Sequence, residues 1–420
     1  MTDDIMNFDL PVVKHSIIKV IGVGGGGSNA VNHMYQQGIK DVDFVICNTD
    51  AQALEESPIP TKIQLGKSLT EGLGAGNKPE RGKDSAVESI DDIREILGQG
   101  TKMAFITVGM GGGTGTGAAP IVAEAAKEMD ILTVGIVTIP FKFEGKRRIQ
   151  QAMDGINNLK KHVDSLLVIN NERLRDIYGN LELSEAFGYA DNILTVAAKG
   201  IAEIITVHGH MNVDFADVNT VMSDSGVALM GTGKAEGENR AVSAVKQALE
   251  SPLLSNNNIR GAKNILLNVT SGAQEITMDE IGEISDYVQD VAGNGADIIL
   301  GTGNHEGLDQ DISVTVIATG FHENTILELV AHKNTEAPVS IPEKKIDLDT
   351  ENDKPASINS EDEAIEAIYG ENDVKEVSLD IDQDTETSSN QIMDLTDQSK
   401  AEDIDDMHNI PAYLRNKNKS

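Results

Sequence analysis

Two glycine clusters, each set between an apolar run and a helical pattern, constrain this chain more than any other feature. The first runs from Gly22 to Ala30 as G-V-G-G-G-G-S-N-A; the second, residues 109–117, reads G-M-G-G-G-T-G-T-G. A backbone without side chains lets N–H groups close on an anion, and a helix starting behind the loop favours negative charge there. Residues 16–24 and Met103–Val108 read as buried strands that lead into these loops. Further strands fit Val42–Asn48, Leu132–Ile139 and Ser165–Asn170. Helices fit Ser28–Gln37, residues 79–98 with Ile90, Ile93, Ile96 and Leu97 on one face, and the stretch from the second loop to Met129. This alternation predicts an α/β fold built on a Rossmann-like parallel sheet covered on both faces.

Ser184–His208 is rich in Ala, Ile and Leu, which predicts a long helix buried on most sides and serving as a strut. The pattern then restarts, with helices near 215–224, 237–250 and 277–291 and strands at 264–269, 297–301 and 312–319, a second and smaller α/β layer. From about residue 334 the composition turns to Asp, Glu, Ser, Thr, Asn and Gln, and residues 334–420 carry 23 acidic against 8 basic side chains. Such a segment buries too little apolar surface to offset its ordering entropy, so a disordered linker is expected. At about 70 residues its r.m.s. span is roughly 40–50 Å. The last stretch regains Ile404, Met407, Ile410, Pro411, Tyr413 and Leu414, then turns basic at Arg415, Lys417 and Lys419.

The net charge of −34 argues against nucleic acid or anionic lipid as a direct partner, since both are polyanions. Cys47 is the single cysteine, so no intramolecular disulfide can form, which fits a reducing cytosol. The start Met1-Thr2-Asp3-Asp4 lacks a basic, then apolar, leader pattern, and no apolar run approaches the roughly 20 residues of a membrane span. With no Trp and 3% aromatics, the core must rest on Val, Ile, Leu, Ala and Met.

The first loop alone leaves the ligand open. Gly22, Gly24 and Gly27 satisfy G-x-G-x-x-G after a strand, and Asp50 lies at the end of the next strand, the layout of a dinucleotide-binding oxidoreductase. Gly66-Lys67-Ser68 imitates the end of a P-loop, but Thr61 stands where that motif needs glycine. The second loop favours a triphosphate: five glycines leave bare backbone at Gly111, Gly112, Gly113, Gly115 and Gly117, while Thr114 and Thr116 add hydroxyls. Charge-assisted hydrogen bonds of about 1.5–3 kcal/mol each could hold the phosphates without a P-loop lysine. His208 and His210 form H-G-H with no Cys or further His cluster beside them, so no dedicated metal cage is expected.

G-G-G-T-G-T-G resembles the signature of the tubulin/FtsZ family. Gly24–Gly27 with Asn29 resemble that family's first phosphate loop, and Leu73-Gly74-Ala75-Gly76 its third. P-F-K-F-E-G-K-R-R at 140–148 is similar to the ribose-contacting segment, and N-V-D-F-A-D-V at 212–218 to the catalytic loop. I-P-A-Y-L-R at 410–415 resembles the partner-binding peptide of the FtsZ branch, which tubulins lack. The similarity covers about residues 14–322 and the last dozen or so.

The resemblance implies a GTP-hydrolysing cytoskeletal protein of the bacterial division ring, cytoplasmic and assembling at mid-cell. It implies a GTP-binding domain at 14–183, a central helix at 184–210, a GTPase-activating domain at 211–322, an acidic linker at 323–403 and a partner-binding peptide at 404–420. Gly25, Gly26, Gly27 and Asn29 would meet the α/β-phosphates, and Gly112, Gly113, Thr114, Gly115 and Thr116 the β/γ-phosphates, with Gly74, Ala75 and Gly76 beside them. Glu144 would bond the ribose, Arg148 approach the ribose and phosphates, Asn171 and Asp191 read guanine, and Phe187 lie against the base. Magnesium is expected through the phosphates. Asp214 and Asp217 would act in trans, on the nucleotide of the next copy in a head-to-tail homopolymer, a contact that does not close and so makes filaments. Ile410, Pro411, Tyr413, Leu414 and Arg415 would bind membrane adaptors and regulators, so the membrane is reached only indirectly. One departure stands out: Lys78 occupies the place where the family usually has asparagine before Pro79. It keeps open a nucleotide-dependent scaffold that does not hydrolyse.

Overall fold

The computed structural model describes residues 15–39, 41–178, 182–206, 211, 213–251, 259–293, 295–304 and 308–321. Its first half alternates as expected. The order is β1 (Ile18–Val23), α1 (Gly24–Gln36), β2 (Asp43–Asn48), α2 (Ala51–Glu56), β3 (Thr61–Gln64), α3 (Lys67–Thr70), α4 (Pro79–Glu88) and α5 (Ile90–Leu97). There follow β4 (Met103–Gly109), α6 (Thr114–Glu128), β5 (Leu132–Ile139), α7 (Lys146–Leu159), β6 (Ser165–Asn170) and α8 (Asn171–Tyr178). The second half comprises α9 (Leu183–Thr206), α10 (Phe215–Met222), β7 (Gly226–Ala235), α11 (Arg240–Leu249), β8 (Asn264–Ser271), α12 (Met278–Ala292), β9 (Asp297–Asn304) and β10 (Ile312–Thr319).

The strands form one ten-stranded sheet in the order β3-β2-β1-β4-β5-β6-β7-β10-β8-β9. It is parallel from β3 through β7; β10 then runs antiparallel to both β7 and β8, and β9 lies parallel to β8. Side chains alternate between the two faces, as strand geometry requires. Ile18 and Val20, Val134 and Ile136, and Leu167 and Ile169 join one core with α1, α9 and α10. Ile21 and Val23, Val137 and Ile139, and Leu166 and Val168 join the other, under α5, α6 and α7. Burial on both faces explains why these strands read as continuous apolar runs.

The strut helix lies against both halves. Ala190, Ile193, Leu194, Ala197, Ala198 and Ile201 follow helical spacing into a core that also holds Met230 of β7, Leu266 of β8 and Ile317 of β10. A third core, beneath α11 and α12, closes the other face of β8 and β10. There Arg240, only 1% exposed, pairs with Glu280 and donates to the carbonyls of Gln274, Glu275 and Gln310.

Four expectations need correction. The helix over 79–98 breaks at Ser89, whose backbone (φ −103, ψ 20) leaves the α region and whose hydroxyl accepts from the Gly66 N–H. Residues 24–27 form the first turn of α1, so that helix starts four residues before Ser28. The expected helix over 237–250 begins only at Arg240. β7, a strand absent from the sequence expectations, bridges β6 and β10 and joins the second layer to the same sheet. The predicted linker and terminal peptide, His208 and His210 lie outside the described residues.

Candidate nucleotide site

The parallel register brings the candidate loops to one edge. Val23 pairs with Val108, Val108 with Val137, and Ile139 with Asn170, so strands β1, β4, β5 and β6 end together. The segments that leave them are the first glycine cluster, the second glycine cluster, the 140–148 stretch and Asn171. A crevice outside the carboxyl ends of parallel strands is where such sheets take ligands.

The glycines divide by what surrounds them. A Cβ on Gly24 would lie 2.6 Å from the Gly115 nitrogen, and one on Gly27 2.3 Å from the Thr107 carbonyl oxygen. A Cβ on Gly113 would meet the Lys78 nitrogen at 2.8 Å and the Ala75 Cβ at 3.0 Å. These positions are glycine because three loops pack backbone to backbone. At Gly25, Gly74, Gly76 and Gly112 an added Cβ would meet nothing within 4 Å. The cluster is therefore tight within itself and bare toward the open side, as an anion cradle must be. Asn29 is exposed on the first turns of α1. Neither α1 nor α6 has an acidic residue in its first turn, which leaves both helix N-termini unneutralised toward that side.

Hydroxyls fix the loops. Thr49 Oγ1 and Thr114 Oγ1 share a hydrogen bond at 2.6 Å, and the Gly74 N–H donates to the Thr49 carbonyl. The Thr116 hydroxyl accepts from the Gly111 N–H at 2.9 Å, so it braces the second loop as well as lining it. The Ser28 Oγ is buried without a hydrogen-bond partner among the described residues. Thr49 and Ser28 were not singled out from the sequence. Ser28 stands inside the glycine motif and could have been; Thr49 lies 65 residues from Thr114, and no local signal marks it.

Beside the cradle lies a second group. Asn170 and Asn171 are 4% and 5% exposed, yet Asn170 Nδ2 and Asn171 Oδ1 have no hydrogen-bond partner among the described residues. Burial pushes the Asp191 carboxyl up from 3.8 to about 6. Phe187, exposed at 41%, meets Phe141 edge-on at 5.4 Å, and Phe141 stacks on Phe143 at 5.0 Å. Glu144 accepts from the Phe141 N–H at 3.0 Å and pairs with Arg148 at 2.7 Å, so each occupies the other. An unpaired amide oxygen and a carboxylate whose charge is costly without a partner suit a planar polar ring that brings N–H donors to both.

Asp214 and Asp217 are not brought to this edge. Helix α9 leaves it and runs 24 residues, about 36 Å. Asp214 then caps α10, and β7 begins where Gly226 pairs with Ser165, the first residue of β6. The carboxylates thus lie toward the opposite edge of the sheet, with Asp214 exposed. Asp50, the acid of the oxidoreductase alternative, is engaged locally as the cap of α2 through the Ala53 N–H. Lys67 and Ser68 sit exposed on the four-residue α3, away from any glycine-loop-to-long-helix junction. Among the described residues no group of three His, Cys, Asp or Glu side chains could hold a metal ion.

Comparison with known proteins gives a consistent result. Residues 17–179 match the family model for the Tubulin/FtsZ family, GTPase domain, and residues 226–322 that for the FtsZ family, C-terminal domain. The chain is 46% identical over 362 residues to the cell division protein FtsZ of Porphyromonas gingivalis, covering 84% of this chain and 78% of that one. It resembles an empty FtsZ dimer from M. jannaschii at 40% identity and a TM-score of 0.69, over 79% of this chain and 96% of that one. CetZ2 from Haloferax volcanii, solved as a GTPγS-bound protofilament, shares the fold at 19% identity and a TM-score of 0.62, over 73% and 93% of the two chains.

Proposed function

The chain belongs to the FtsZ branch of the tubulin/FtsZ family, and from that premise we propose how its own residues divide the work of binding and hydrolysis. As a member it is a GTPase, taking GTP to GDP and phosphate, and a self-associating cytoskeletal protein of cell division. In our reading Gly25, Gly26, Gly27 and Asn29 hold the α/β-phosphates, and Gly112–Thr116 with Gly74–Gly76 the β/γ-phosphates. Asn171 and Asp191 read guanine, Phe187 packs on it, and Glu144 exchanges Arg148 for the ribose. The bare cradle, rich in N–H and hydroxyl donors, fits a magnesium-bound triphosphate whose ion is held by the phosphates. The metal's contribution is to neutralise charge on the transferred phosphoryl group.

Asp214 and Asp217 act on the nucleotide of the neighbouring subunit, where they orient the attacking water. One observation carries this: the bare cradle and the carboxylate pair are separated by the full length of α9. The test mixes two inactive variants. Asp214→Ala keeps a good cradle, and Gly112→Asp keeps good carboxylates. Turnover should reappear on mixing and rise with protein concentration. A native rate independent of concentration would overturn catalysis in trans.

We divide the chain at 14–183, 184–210, 211–322, 323–403 and 404–420. Ile410, Pro411, Tyr413, Leu414 and Arg415 then form a tethered ligand for a membrane adaptor. Many weak tails on one filament gain avidity without any new contact. Cytoplasmic filaments would reach the mid-cell membrane through that adaptor. Deleting residues 404–420 should leave GTPase activity and filaments intact and abolish membrane recruitment; normal recruitment of the truncated chain would refute this.

A further inference from the structure

The three phosphate loops are almost without charge. Across residues 24–29, 73–78 and 109–117 the only ionisable side chain is Lys78. Its backbone is locked into the cradle, since its nitrogen lies 2.8 Å from the Cβ position of Gly113, with the Asn77 nitrogen at 3.1 Å. Asn77 takes a left-handed backbone (φ 57), which turns the chain sharply just before Lys78. Lys78 itself is extended (φ −118, ψ 108) and is the N-cap residue of α4, with its carbonyl accepting from the Gly82 N–H. The side chain is exposed and has no carboxylate partner among the described residues. The neighbouring Gly112 looks onto open space.

We propose that Lys78 makes this cradle distinguish a triphosphate from a diphosphate by supplying, from within the three loops, a mobile cation to the terminal phosphate. The proposal rests on the nucleotide reading above and adds to it a residue that the family pattern does not provide. Backbone N–H groups and threonine hydroxyls carry only partial charges, and those that meet the inner phosphates serve GTP and GDP alike. The γ-phosphate adds net negative charge at the end of the ligand, and a full positive charge responds most to that difference. Lys78 is placed for it: its backbone nitrogen lies against Gly113, beside the open position at Gly112, and its exposed four-carbon stem is flexible enough to follow a ligand there. At the first helical position of α4, Pro79 has no N–H to offer an anion, so the lysine supplies the charge there.

Equilibrium binding of GTPγS and of GDP to the full chain tests this, at protein concentrations too low for assembly. Lys78→Met and Lys78→Gln should weaken GTPγS roughly tenfold or more and GDP by less than about twofold. Lys78→Arg should restore most of the preference. The salt dependence of GTPγS binding should flatten in the neutral variants, because an exposed ion pair is screened. Equal losses for both nucleotides, or no loss for either, would overturn the proposal. If the native chain bound neither nucleotide, the nucleotide reading itself would fail, a distinguishable result that removes this proposal with it.

Discussion

Asp214 and Asp217 cap each other: Asp214 Oδ1 accepts the Asp217 N–H at 2.9 Å, and Asp217 Oδ2 accepts the Asp214 N–H at 3.2 Å. Each carboxylate thereby spends one oxygen on starting α10 and keeps the other for solvent or a neighbouring copy. The pair has a structural task as well as the proposed catalytic one, and substitution can separate them. Asn is as good a cap as Asp, whereas Ala costs about 1 kcal/mol. Asp214→Asn should melt like the native chain and hydrolyse no GTP, while Asp214→Ala should lose both activity and about that much stability. Thermal melts alongside steady-state turnover decide it, and an Asn variant with native turnover would remove Asp214 from the chemistry.

Asp191 ties binding to pH. Its carboxyl is raised from 3.8 to about 6 by burial, so the free protein resists ionising it. Its effect on stability is therefore unfavourable and develops as pH climbs from about 4 through 6, becoming constant above. Asp191→Asn should stabilise the nucleotide-free chain relative to native at pH 7.5 and much less at pH 4.5. Guanine needs the ionised acceptor, so GDP affinity should rise between pH 5.5 and 7 in the native chain and stay flat in the Asn variant. Calorimetry and titration binding read the two opposite trends.

Gly113 and Gly112 are adjacent and should behave differently. An alanine at 113 would push on the backbone nitrogens of Asn77 and Lys78, which cannot swing aside. Overpacking of this kind typically costs about 1–3 kcal/mol. An alanine at 112 meets only open space, so the fold should be kept while nucleotide affinity falls. Melting temperature and GDP binding measured together would separate them. A Gly112→Ala variant with native affinity would mean that the phosphates do not lie on that side.

Much of this was legible in the sequence because strand, glycine loop and helix N-terminus leave local marks. β1, β4, β5 and β6 are buried on both faces and so read as unbroken apolar runs. β7 escaped because G-V-A-L-M-G-T-G-K-A carries three glycines and imitates a loop; at Gly233 the close approach of the Ala244 carbonyl leaves no room for a side chain. β3, with T-K-I-Q at the sheet edge, offers only one buried residue. At the candidate site, the glycine loops could be located in advance by their motifs, but the Thr49–Thr114 bond and the burial of Asp191 arise only when distant segments meet. The break at Ser89 depends likewise on a remote N–H, that of Gly66.

The sheet is continuous but unevenly stitched. β6 and β7 share register at only Ser165, Leu166 and Leu167, whereas β5 meets β6 along six residues and β7 meets β10 along seven. The two halves are joined less by this ladder than by α9, whose apolar side chains touch strands of both. Ladder bonds are directional and fail abruptly, while apolar contact slides with little loss. Under mechanical load the seam at Ser165–Leu167 is therefore where the sheet should crack first, with α9 acting as a greased axle on which the halves can still turn.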